Sequence, residues 1–229
     1  MPAPLGIFYK YWHYFGMTPA SNSPANSTPS PEAAAVLEFW LADGVTLDWP
    51  SQDLGKVWFG NDLALDGRIR EKFGPLVDEA LSGGLKTWEN DPLQRLALII
   101  LLDQFTRNLF RGKAEAFAGD ARTQQLTMDA VERGWDHGMT CAARVFLYMP
   151  LMHAEDLALQ QECVIRFAEL HDEAPEAVKK NIQGSLEFAE KHRDIVAIFG
   201  RFPHRNAALG RTDTVEEREF LVTGPRFGQ

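Results

Sequence analysis

The sequence predicts an all-α fold of about eight to nine helices. Three observations predict it. Apolar residues recur near a 3.6-residue period in segment after segment. Cap residues followed by proline open these segments, and glycine closes them. No segment alternates with period 2 between strand-type turns.

The elements follow in chain order. Ser30-Pro31-Glu32 is an N-cap, a proline at the first helical position and an acidic first turn, and the helix AAAVLEFWLA runs on until Gly44 stops it. Residues 45–60 read as a loop ending in Trp58-Phe59-Gly60. Asn61 or Asp62 caps a helix to about Leu81, with Gly74-Pro75 expected to kink it. Asp91-Pro92 starts a helix to about Phe110 that is apolar almost all round, as a central helix is. Asp120 is expected to cap the next, to about Trp135. Another covers about 139–149 and breaks near Pro150. A long one spans about 152–171. Pro175 opens one that runs to Phe199 with Gly200 as its stop, and a short helix near 214–222 closes the series. Helices of this length joined by short connections suit a stack of helical hairpins as well as a closed bundle.

Composition bounds the function. The 229 residues are 45% hydrophobic and 24% charged with a net charge of −9, which argues against general nucleic-acid or anionic-membrane binding. No run reaches the roughly 18 uncharged apolar residues of a membrane helix. The two cysteines, Cys141 and Cys163, sit in apolar helical segments and read as buried free thiols, which suits a reducing cytoplasm. Residues 1–30 differ from the rest. A Pro/Ser/Asn/Thr run at 18–31 follows the aromatic stretch Ile7–Phe15, so 1–30 reads as a flexible leader and 31–229 as a single all-α domain. The alternative is that the aromatic stretch docks on the body or on a neighbouring chain.

Three places break the packing logic, and function is expected there. In the first, an apolar helix turns polar. Asp103, Arg107 and Arg111 lie at i, i+4 and i+8, overlapped by Gln104 and Asn108. The two guanidinium forks suit a carboxylate or phosphate, with Asp103 fixing one of them. In the second, His153 follows Pro150 and shares an expected helical face with Asp156 and Gln160. His153 is a candidate general acid or base oriented by a carboxylate. In the third, His192 is turned inward, and Arg201-Phe202-Pro203-His204-Arg205-Asn206 follows. Lys191, Arg193, Arg201, Arg205 and Arg211 face only Asp194, a local excess of +4 on an acidic chain.

The strings VLEFW with a later WFG, LLDQFTRNLFRG, FLYMPLMHAEDLALQ and HRDIVAIFGRFPHRN, in this order, resemble the bacterial domain-of-unknown-function family 924 over about residues 33–222. The resemblance implies a tetratricopeptide-like superhelical stack and no established activity. It also implies that Tyr148, Glu155, Gln160, His192 and Asn206 belong to the characteristic set, beside Asp103, Gln104, Arg107, Asn108, Arg111, His153, Arg201, His204 and Arg205. Ala154 stands where a serine or similar residue is usual.

Three readings remain open. In the first, Arg107, Arg111, Arg201 and Arg205 hold a small anion while His153 or His204 transfers protons. In the second, a concave helical surface binds a peptide or protein without catalysis. In the third, the polar strings lock helix ends together as a buried network. The concentration of these residues in three segments favours one convergent pocket. A metal held by His153, His192, His204 and Glu155 lacks supporting HxxxH or HExxH spacing, and no cofactor fingerprint is present.

Overall fold

The structure is a computed structural model that describes residues 28–225; residues 1–27 of the expected leader, and with them the docking of Ile7–Phe15, lie outside the described residues. Among them every regular element is helical: α1 (Pro31–Leu41), α2 (Gly55–Phe59), α3 (Leu63–Leu81), α4 (Pro92–Ile99), a π-helical segment (Ile100–Phe105), α5 (Thr106–Leu109), α6 (Asp120–Glu132), α7 (Cys141–Met152), α8 (Leu157–Glu173), α9 (Glu176–Phe199) and α10 (Val215–Thr223). Counted with α4, the π segment and α5 as one continuous helix, the described residues hold nine helices.

The helix starts are set locally. Ser30 Oγ accepts from Ala33 N at 3.2 Å, Asp62 Oδ1 from Ala64 N at 2.8 Å, and Asp91 Oδ1 from Leu93 N and Gln94 N at 3.1 and 2.9 Å. Each satisfies donors that the first turn leaves without helical partners. Asp120 departs from its expected role. It is the first residue of α6, and its side chain makes no cap bond.

One proline departs as well. Pro75 lies inside α3, within the expected helix, whereas Pro150 lies inside α7, which continues to Met152 rather than breaking. His153 is therefore the C-cap of α7, and Asp156 is the N-cap of α8. His153, Asp156 and Gln160 do not share one helical face, because the chain changes helix between them.

The core forms around two helices. From Leu96 to Phe105 every residue of α4 and the π segment is buried, and so is every residue of α7. α4 packs on α1, α6 and α7, while the hairpin of α8 and α9 covers α7. Edge-to-face rings tie the layers together: Trp40 to Phe105 at 5.4 Å and Trp58 to Phe146 at 4.9 Å. Burying a side chain of this size contributes roughly 1.5–3 kcal/mol. Among the described residues no helix is long and apolar enough to cross a membrane. Cys141 and Cys163 are buried free thiols, as expected.

Candidate functional site

The site begins where the central helix widens. A π turn is rare and adds a residue to the helical circuit, which re-aims the side chains it carries. Asp103 and Gln104 sit in this turn, and Asp103 is fully buried. An isolated buried carboxylate is costly, so its partners decide its state. Gln104 Nε2 donates to Asp103 Oδ2 at 2.6 Å, and Arg107 Nη1 lies 3.3 Å from Oδ1. Nδ1 of His153 stands 2.8 and 3.0 Å from the two carboxylate oxygens. Burial pushes the carboxyl upward, but the charges of Arg107 and His153 and the donated hydrogen bonds outweigh it and hold Asp103 well below the usual carboxylate range.

An ionised Asp103 only accepts, so Nδ1 of His153 carries the proton. Burial lowers the imidazole pKa below its ordinary value, and Arg107 and Arg205 add to this against the opposing pull of Asp103. The ring is thus neutral at neutral pH, with its lone pair on Nε2. That nitrogen has no hydrogen-bond partner among the described residues.

Behind Asp103 the charges alternate. Arg107 Nη2 donates to both oxygens of Asp120 at 3.0 and 3.2 Å, and Arg205 Nη1 reaches Asp120 Oδ2 at 3.2 Å. Burial works against the charge of Arg107, but Asp103 and Asp120 more than offset it and raise its pKa. Arg205 is buried between the rings of Phe117 and Phe202, 4.6 and 4.5 Å from their centroids. Burial and the neighbouring Arg107 push it down to about 10. Its Nε is buried with no hydrogen-bond partner among the described residues.

The three sequence segments therefore meet through His153–Asp103–Arg107–Asp120–Arg205. His192 joins them, its ring centroid 6.2 Å from that of His153 and 5.6 Å from that of Phe202. His192 Nδ1 donates to Phe188 O at 2.7 Å. Burial and the facing His153 push its pKa down to about 3. His204 lies behind Phe202 at 5.4 Å and is pushed to about 3 by burial and Arg205.

Other expected members fall elsewhere. Arg111 leaves the Asp103–Arg107 stripe because α5 ends at Leu109. It forms a two-pronged pair with Asp66 at 2.7 and 3.0 Å, and Asn108 Nδ2 donates to the same carboxylate at 2.7 Å. Arg201 grips Glu217 at 2.6 and 2.7 Å, and Asn206 Nδ2 donates to Asp213 at 2.7 Å and to Glu217 at 3.2 Å. Glu155 accepts from Phe202 N and from both ends of Arg211. Gln160 Nε2 donates to Met152 O and Ala154 O, which ties down the chain on both sides of His153. Tyr148 belongs to a separate buried group: its hydroxyl donates to Asp136 at 2.7 Å and accepts from Arg144 at 3.1 Å.

A cavity of about 550 Å³ opens beside His153. Its polar lining comes from Gln104, Arg107, Asn108, Arg111, His153 and His192, from Asp53, and from Asn181 and Ser185 of α9. Trp49, Leu54, Trp58, Phe59, Val145, Met149, Met152 and Phe188 supply its apolar lining, and Gly55, Gly60 and Gly184 complete it. Arg201, His204 and Arg205 do not line it. Asp66, Asp120 and the aromatic wall were not anticipated. Asp66 shares the inward stripe of Ile69 and Phe73 at i, i+3 and i+7, a signal that was open to reading. Among the described residues no group of three or more His, Cys, Asp or Glu side chains is arranged to hold a metal ion.

The family model for a bacterial protein of unknown function (DUF924) matches residues 36–225. The chain is also similar to the solved structure of the protein of unknown function ATU0120 from Agrobacterium tumefaciens. The two are 38% identical with a TM-score of 0.70, over 84% of this chain and 97% of that one. No curated protein matches the chain.

Proposed function

The chain belongs to the bacterial DUF924 family of proteins of unknown function, and we propose that its cavity binds a small amphipathic molecule on which His153 acts as a general base. The observation that carries this reading is the 2.8 Å contact of Asp103 with Nδ1 of His153, on a ring that lines the cavity. A neutral imidazole with its proton fixed on Nδ1 accepts a proton at Nε2, from the ligand or from a water beside it. Asp103 stabilises the imidazolium that forms, and the proton returns from Nε2 to the product. Arg107, itself held by Asp120, positions Asp103 and keeps it ionised. The largely apolar remainder of the wall suits the body of an organic ligand. Two buried free thiols suit a reducing compartment, so we place this activity in the cytoplasm.

The test is a ligand-observed NMR screen of small acids, amides and alcohols, followed by the imidazole signals of His153. Binders are expected to shift those signals and to be lost in Met149→Trp, which fills the cavity. Turnover of any binder is expected to vanish in His153→Gln while binding persists. Binders that leave the His153 signals unmoved, or a Met149→Trp protein that binds as well as wild type, would overturn the reading.

A further inference from the structure

We propose that the ligand of this cavity is a small organic acid whose carboxylate is taken by Arg111 while its apolar body lies against Trp58 and Phe59; the inference rests on the cavity being a ligand site. Arg111 differs from the other arginines expected to hold an anion. Arg201 and Arg205 do not line the cavity. Arg107 lines it, but its two terminal nitrogens are engaged, Nη1 by Asp103 and Nη2 by Asp120. Arg111 lines it with a side chain 25% exposed. Its Nε and Nη2 hold Asp66 in a fork, and Nη1 has no hydrogen-bond partner among the described residues.

Asp66 makes this fork rigid rather than blocking it. The same carboxylate also accepts from Asn108, so the guanidinium plane is fixed before any ligand arrives. A fixed guanidinium edge loses little side-chain entropy on binding, and its N–H groups match a carboxylate better than they match an amide oxygen. Elsewhere in the lining, Trp58 supplies no competing polar group. Trp58 donates its only N–H to Trp40 O at 2.8 Å, so what it offers is an apolar face. Trp49 meets Trp58 edge to face at 5.6 Å and extends that surface. Phe59 is 65% exposed beside the cavity, where an apolar ligand would cover it. One charged head and one flat apolar body follow from Arg111 and these rings.

The experiment compares phenylacetate and benzoate with phenylacetamide and benzamide by chemical-shift titration at pH 7.5. The acids are expected to bind wild type at least tenfold tighter than the amides. The preference is expected to survive in Arg111→Lys, which keeps the cation, and to fall to near unity in Arg111→Gln. Because Arg111 also braces Asp66, the double variant Asp66→Asn/Arg111→Gln is run beside it. It keeps a hydrogen-bonded neutral pair and the charge balance, and it is expected to lose the preference equally. Acids and amides binding wild type equally would overturn the assignment of an acid while leaving the cavity reading intact. An acid preference that persists in the double variant would overturn the role of Arg111. Neither class binding at all would overturn this inference together with the reading of the cavity beneath it.

Discussion

Asp103 Oδ1 stands 2.8 Å from Nδ1 of His153, a residue 50 positions further along the chain. The aspartate comes from a π turn in the central helix, and the histidine ends α7. Both are held from behind: Asp103 by Gln104 and Arg107, and the chain around His153 by Gln160. Two buried groups of this kind fix each other's state. The carboxylate sets the imidazole tautomer, and the imidazole N–H helps keep the carboxylate ionised.

Removing one partner exposes this dependence. Asp103→Asn leaves Arg107 facing the core with one carboxylate fewer, and breaking a buried pair in this way costs roughly 3–5 kcal/mol. The His153 pKa is expected to fall further, since Asp103 attracts its proton while Arg107 and Arg205 repel it. Chemical denaturation and an NMR titration of the ring check both. A stability loss below about 1 kcal/mol, or a rise in the His153 pKa, would contradict this account.

Helix positions were legible because their signals are local. Ser30, Asp62 and Asp91 cap within three residues of themselves, and a reader needs only that window. The site was legible in part for a related reason: Asp103 and Arg107 are conspicuous in an apolar helix. Their partners were not. Asp120 stands where a cap residue stands, and the same residue type serves a cap or a buried ion pair, so only the tertiary structure distinguishes them. The π turn and the continuation of α7 through Pro150 also depend on packing that no local window contains.

Acid is expected to destabilise the fold from about pH 6.5 downward. His192 and His204 each fall from the ordinary 6.5 to about 3 in the folded chain, driven first by burial. Between these values the unfolded chain binds more protons, so stability rises with pH and is lost on acidification, by at most about 1.4 kcal/mol per pH unit for each ring. The effect precedes that of Glu217, whose folded pKa of about 2 lies below its ordinary 4.5. Thermal melts between pH 7 and 5 check this. A flat profile there, or one unchanged by His192→Asn, would contradict it.

Both thiols are expected to be inert in the folded protein. Burial raises the Cys141 pKa to about 11, and it also raises that of Cys163, which is fully buried. Thiolate is the reactive form, so little is present at pH 8. A disulfide-exchange reagent should label neither within minutes natively and both in denaturant. Rapid native labelling of either would show that its helix opens far more readily than its packing indicates.

Tyr148 separates support of the fold from work in the cavity. It comes from α7, as Met149 and Met152 do, yet its ring packs on Phe167 at 5.7 Å and its hydroxyl bridges Arg144 and Asp136. It does not line the cavity. Tyr148→Phe removes the hydroxyl that donates to Asp136, a buried carboxylate whose other oxygen has no hydrogen-bond partner among the described residues. Leaving such an acceptor without its donor costs about 1–3 kcal/mol. Stability should therefore drop by that amount, while the affinity of any cavity ligand and the His153 titration stay within twofold and a few tenths of a pH unit of wild type. Gln104→Ala offers the contrast: its side chain touches Asp103 and Met149 Sδ on the cavity wall, so it should move both readouts. If Tyr148→Phe shifts His153 or ligand affinity as far as Gln104→Ala does, the two buried polar groups act as one network and their assignment to separate roles fails.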